Sequence, residues 1–174
     1  MTMRHEFRLD VARWLTPGEI GDPAAVTARQ TAVLLYRNMG LRAVLAFRLG
    51  HWCHVRGIRG GPSFFQRMLY RRYGLDIVVR ASIGGGLYIP HPIGTTLAPA
   101  SMGENCSVIA AVTVGMRNRR EFPTIGDRVF LGAGSRVLGG VEIGDDVRVG
   151  ANAVVIHDVA ASTAVGGIPA APLN

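Results

Sequence analysis

The sequence has no lysine: all 19 of its basic residues are arginine. Codon usage alone accounts for such an absence, so it carries little functional weight. Other absences exclude more. Cys53 and Cys106 are too few for a disulfide framework, and no Cys-x-x-Cys pair occurs. No apolar run opens the chain, because Arg4, Glu6, Arg8 and Asp10 interrupt it, so no signal peptide is expected. The longest apolar-rich stretch, residues 41–55, contains Arg42, Arg48 and His51 and does not read as a membrane span. The expected location is the cytoplasm. No nucleic-acid recognition motif is present, and no basic run is interleaved with aromatics, so nucleic acid is not an expected partner.

Charge is unevenly spread. Residues 1–74 carry 12 arginines against Glu6, Asp10, Glu19 and Asp22, whereas residues 75–174 carry 7 against eight acids. The basic half calls for an anionic neighbour: lipid headgroups, an anionic substrate or another subunit. Peripheral contact with a membrane is therefore open to it.

The chain is organised around residues 125–155. Ile125, Leu131, Val137, Ile143, Val149 and Val155 recur every six residues, and Gly126, Gly132, Gly144 and Gly150 follow four of them directly. Six is three strand steps, so alternate residues still point inward, as a pleated strand requires. Glycine after the inward aliphatic lets the backbone turn where a Cβ would clash. Short parallel strands wound into a solenoid follow, with each rung burying its inward residues against its neighbours.

Ahead of this repeat the pattern is helical. Residues 3–15 read as a weak amphipathic helix stopped by Pro17 and Gly18. Asp22-Pro23 predicts a second helix to about Tyr36, with Gly40 as its break. Leu41, Val44, Leu45, Leu49 and Trp52 then fall on one helical face, up to about Val55. Gly57, Gly60, Gly61 and Pro62 predict a loop. Phe64, Phe65, Met68, Leu69 and Tyr73 mark a last helix, closed by Gly74. The chain thus divides into a helical domain, 1–74, and a β domain, 75–174. His51 and His54 are three apart with no acid near, which favours a structural role over metal binding.

From Leu75 the rungs begin. Ile77, Ile83 and Ile89 keep the six-residue step; one extra residue follows, and the step resumes at Thr96, Met102, Val108 and Val114. The slip surrounds Pro90-His91-Pro92, and such bulges re-aim side chains near sites. From Val114 to Ile125 the step is eleven, so five residues within 116–122 must loop out, carrying Arg117, Arg119, Arg120 and Glu121. The pattern fades after Val155 into Gly166-Gly167-Ile168-Pro169-Ala170, a terminal turn. His91, in the irregular part of the solenoid and held between prolines, is the candidate general base; a turn histidine bonded to backbone is the plainer alternative. Asp76 precedes it by fifteen residues where a three-rung coil is eighteen, which places the two on neighbouring coils near one edge. Cys106 falls at an inward position and reads as core.

The rung pattern resembles the hexapeptide-repeat acyltransferases, which implies a mainly β fold, a left-handed parallel β-helix over about residues 75–170, with an N-terminal α-helical segment. The segment Gly84-Gly85-Gly86-Leu87-Tyr88-Ile89-Pro90-His91 is similar to that carrying the catalytic base in serine O-acetyltransferases and related exopolysaccharide acetyltransferases. The resemblance implies that His91 deprotonates the acceptor and that Asp76 orients and charges it. It also implies direct attack on an acetyl-CoA thioester in a ternary complex, with no acyl-enzyme and no metal. The coenzyme would lie between subunits of a homotrimer, at positions matching Gly115, Met116, Ala133, Ala151 and Arg148.

The resemblance breaks at the substrate clamp. The family's Asp before the base is Pro90 here, and its Arg-His-Pro after the loop is Glu121-Phe122-Pro123. An amino acid would lose its obvious partners there. The expected acceptor is therefore a small hydroxylated molecule, first a sugar or specialised metabolite, with L-serine as runner-up. A shorter helical part and the lack of the family's carboxyl-terminal tail predict a trimer and no docking to cysteine synthase. A zinc lyase on the same fold would need three converging histidines, and the solenoid offers only His91 and His157.

Overall fold

The computed structural model describes residues 2–16 and 20–173. Pro17 and Gly18, the expected helix stop, lie outside them. Helix α1 spans Met3–Leu15. Asp22 does cap a helix start, its Oδ1 accepting from the Ala24 amide, but only a 3-10 turn follows, Pro23–Ala25. Helix α2 begins later, at Ala28–Arg37, behind a capping box in which Thr27 and Gln30 satisfy each other's backbone. Sequence reading merged the two because Asp-Pro is the louder of the adjacent start signals.

Helix α3, Met39–Val55, starts earlier than Gly40 suggested. Gly40 lies within its first turn, where a Cβ would strike the Ile89 carbonyl oxygen. The residue thus permits a close approach of helix to solenoid. The buried face of α3 is also wider than expected, comprising Leu41, Ala43, Val44, Ala46, Phe47 and Arg48, with Trp52 exposed. Contacts with α1, α2 and α4, Gly61–Tyr73, surround it. Gly61 and Pro62 form the first turn of α4, and Gly74 closes it at φ +59°.

The β strands stack into three parallel faces. The first holds β1 (Leu75–Ile77), β3 (Thr95–Leu97), β6 (Thr113–Gly115), β9 (Arg136–Leu138) and β12 (Val154–Val155). The second holds β2 (Ser82–Ile83), β4 (Ser101–Met102), β7 (Thr124–Ile125) and β10 (Glu142–Ile143). The third holds β5 (Ser107–Val108), β8 (Phe130–Leu131), β11 (Arg148–Val149) and β13 (Ala164–Gly166), edged by the antiparallel β14 (Ala171–Pro172). This is a parallel β-helix preceded by helices. Every aliphatic of the 125–155 repeat points into it and is buried. Gly132 shows why glycine follows them: a Cβ there would lie 2.7 Å from the Val149 carbonyl oxygen of the next coil.

One register expectation fails. Ile77 pairs with Leu97, not Thr96, and Leu97 pairs with Val114. Thr96 points outward between inward Thr95 and Leu97. The corner at residues 92–94, with Gly94 at φ +74°, absorbs two extra residues, and the following corner gives one back.

Candidate active site

His91 stands on the corner between the third and first faces. It bridges to Ala110 on the next coil. Continuing the pairing of Val108 with Leu131 and of Leu131 with Val149 puts Ala133 above Ala110 and Ala151 above Ala133. The bonds from Gly134 N to Ala110 O and from Asn152 N to Ala133 O, both 2.8 Å, fix that column. His91, Ala133 and Ala151 therefore share one exposed edge. At about 4.8 Å per coil they span roughly 14 Å. Arg148 is on the third face beside this edge, exposed, its guanidinium 4.8 Å from the Phe130 ring.

The remaining expected residues lie elsewhere. Gly115 ends β6 and Met116 follows it at the opposite corner, between the first and second faces. The excursion at residues 116–122 leaves from there. Arg117, Asn118, Arg119 and Glu121 line a cleft of about 280 Å³ with Gly139 and Gly140. Glu121 lies against Gly140, and Phe122 is half-buried. A strand width, on the order of 15–20 Å, separates this corner from His91. Pro90 is half-buried immediately before the histidine.

Asp76 is on the first coil, the same coil as His91, not its neighbour, because Asp76 pairs with Thr96 beyond the histidine. Its side chain faces solvent on β1 and accepts from Gln66 Nε2 at 3.2 Å. Asp76 and His91 thus share the first coil, and among the described residues no hydrogen bond joins them.

Sequence reasoning missed what holds the histidine segment in place. Arg48 on α3 is buried and donates from Nε and Nη2 to both oxygens of buried Asp10 on α1, at 2.8 and 2.9 Å. Arg48 also donates to the carbonyls of Ile83 and Gly84, and Asp10 accepts from the Leu87 amide. Trp14 packs on Tyr88 at 4.8 Å between centroids, and Arg13 donates to Ser107 Oγ at 2.6 Å. With Gly40 against Ile89, residues 83–89 are thus fixed from the helical side, and the chain emerges at Pro90-His91.

Cys106 is core, as its inward position predicted. Burial pushes its thiol up to about 12, which leaves it neutral and a poor nucleophile. His51 Nδ1 lies 3.0 Å from the Val79 carbonyl, a structural contact. Among the described residues no cluster of three metal-ligating side chains occurs. Nor, among them, is any helix long and apolar enough to cross a membrane.

The edge suits a coenzyme A thioester in its side chains. Ala133 and Ala151 are small and exposed, and Arg148 beside them offers a cation. The bacterial transferase hexapeptide (six repeats) family matches residues 122–157. The serine acetyltransferase of Mycobacterium tuberculosis is 39% identical over 155 residues, covering 85% of this chain but 65% of its own length. That of Helicobacter pylori (strain J99) is 38% identical over 150 residues, covering 83% of this chain and 86% of its own. Among solved structures, Neisseria gonorrhoeae serine acetyltransferase in complex with serine superposes with a TM-score of 0.82 at 28% identity, over 99% of this chain and 69% of that one. A serine acetyltransferase in complex with CoA gives 0.82 at 25% identity, over 98% and 69%. This chain belongs to the serine acetyltransferase family of hexapeptide-repeat, acetyl-CoA-dependent acyltransferases.

Proposed function

We propose that this protein transfers an acetyl group from acetyl-CoA to the hydroxyl of L-serine, with His91 as general base. The column of His91, Ala133 and Ala151 carries the reading. It aligns a base with a small-residue edge on which a pantetheine arm can lie close to backbone. The acceptor differs from the sugar that the sequence favoured. The relatives and the superposed structures are named for serine, and none of them supports a sugar. Pro90, Glu121 and Phe122 then form a variant clamp, in which Arg119 at the cleft supplies a cation for the carboxylate.

The transfer balances without a covalent enzyme intermediate. His91 takes the hydroxyl proton as the oxygen attacks the thioester carbonyl. Collapse of the tetrahedral adduct expels the thiolate, which recovers the proton from the imidazolium. Asp76, once released from Gln66 Nε2, stabilises that imidazolium. Backbone amides along the edge are the available oxyanion donors.

A homotrimer is part of the proposal. His91 and the loop at residues 116–122 sit at opposite corners of one face, so a single chain does not assemble both around one acceptor. A second copy whose loop corner meets the histidine corner does.

The test is thiol release from acetyl-CoA with L-serine or with a panel of sugars, for the wild type and His91→Ala. Turnover on serine that is lost in the variant is expected. Turnover confined to sugars overturns the acceptor, and equal turnover by the variant overturns the base.

A further inference from the structure

The helical half carries a surface that acetyl transfer does not use. Residues 23–75 contain nine arginines and no aspartate or glutamate. Arg48 is committed to Asp10, and Arg42 to the carbonyls of Leu35 and Tyr36. The other seven are exposed, and among the described residues none of them enters an ion pair. At the turn from α3 to α4 this charge meets apolar groups. Trp52, Val55, Ile58 and Phe64 are 38, 69, 41 and 57% exposed. Arg56 and Arg59 stand between them in the chain, with the Arg56 guanidinium 5.8 Å from the Trp52 ring.

Three occupants could meet such a surface, and the observations favour one. A second copy docked through the same face would set arginine against arginine. A nucleic acid would neutralise the arginines but leave Val55, Ile58 and Phe64 against a polar backbone. The interface of an anionic bilayer satisfies both, with phosphates beside the arginines and the acyl boundary beneath the apolar tip. We propose that the α3–α4 hairpin docks this protein reversibly on anionic phospholipid surfaces, with its turn in the headgroup layer. The turn shares a cleft with Arg80, at the corner between the first and second faces, whereas His91 stands on the corner between the third and first.

The experiment is co-sedimentation of the full chain with vesicles of phosphatidylcholine alone or mixed with phosphatidylglycerol. Duplex DNA serves as a competitor and thiol release as a check on folding. Binding to the mixed vesicles only is expected, weakening as salt rises. One arginine near such a surface strengthens binding by roughly five-fold, so Arg56→Glu with Arg59→Glu, which removes two positive charges and adds two negative ones, should weaken it by at least about 25-fold. Val55→Ser with Ile58→Ser and Phe64→Ser should remove the binding that survives high salt. Both variants should retain wild-type thiol release. Equal binding to neutral vesicles, undiminished binding by the Arg56→Glu/Arg59→Glu variant, displacement by DNA at equal charge, or self-association lost in that same variant would each overturn the proposal.

Discussion

Asp10 and Arg48 lie thirty-eight residues apart in the chain and meet as a bidentate pair, both side chains at most 1% exposed. Their spare hydrogen-bonding capacity is spent on the backbone of residues 83–87. The pair is therefore a joint between two helices and the first coil, not an isolated salt bridge. Breaking a buried pair from one side costs about 3–5 kcal/mol, because a charge is left uncompensated. Asp10→Asn and Arg48→Met should each lower the urea-unfolding free energy by about that much. The double variant Asp10→Leu/Arg48→Met should recover part of the loss. Recovery stays incomplete, because the Ile83 and Gly84 carbonyls and the Leu87 amide lose their partners. A double variant as unstable as the sum of the singles would show that the two residues act independently.

This joint was invisible in the sequence for a physical reason. An aspartate or arginine on a helix reads as its solvated face, and nothing local reports a partner thirty-eight residues away. The solenoid was legible where its coils are regular. From Val137 to Val155 one coil is eighteen residues, so counting by six stays in phase. From Ile77 to Leu97 it is twenty and from Leu97 to Val114 seventeen, and counting saw only the net slip. Counting by six therefore lands on Thr96 in place of Leu97, and puts Asp76 one coil away from His91 when the two share a coil. The family likeness names residue types for the proposed site, but not their division between two corners. It depends on accumulated coil lengths that only the register supplies.

His91→Asn should lower kcat by 10²- to 10⁴-fold with the KM for acetyl-CoA little changed, the range that a positioned base contributes. Asp76→Asn should cost less than His91→Asn, with the loss in kcat and the KM for acetyl-CoA little changed, because the carboxylate acts only as the hydroxyl proton moves to the imidazole. An unchanged kcat would mean that Asp76 stays with Gln66 and does not reach His91.

Cys106 makes stability fall at high pH. Its thiol is pushed up to about 12 by burial, against an ordinary value of 9.0. Below pH 9 it is protonated in both folded and unfolded chains, and the core keeps its full contribution. Between about 9 and 12 the unfolded chain releases the proton and the folded one holds it. Stability therefore drops as pH rises, by up to about 1.4 kcal/mol per pH unit. Urea midpoints measured across this range should fall more steeply for the wild type than for Cys106→Ala. Parallel slopes would mean that the thiol ionises in place.

The division of the site between two corners predicts complementation. His91→Ala spoils one corner of the first face; Glu121→Ala with Phe122→Ala spoils the other. If each acceptor site takes its histidine from one chain and its loop from the next, neither variant alone has an intact site. In the proposed trimer, co-refolding the two in equal amounts leaves roughly a quarter of the subunit interfaces joining a native histidine corner to a native loop corner. Thiol release should recover to about that fraction of the wild-type rate. It should fall away when one variant is in large excess. A site built within a single chain gives no recovery at any ratio, because every chain then carries one of the two defects. The same preparation, run on a sizing column with light scattering, reads the trimer directly. A monomeric mass would remove the shared site and leave the loop without a role in the chemistry at His91.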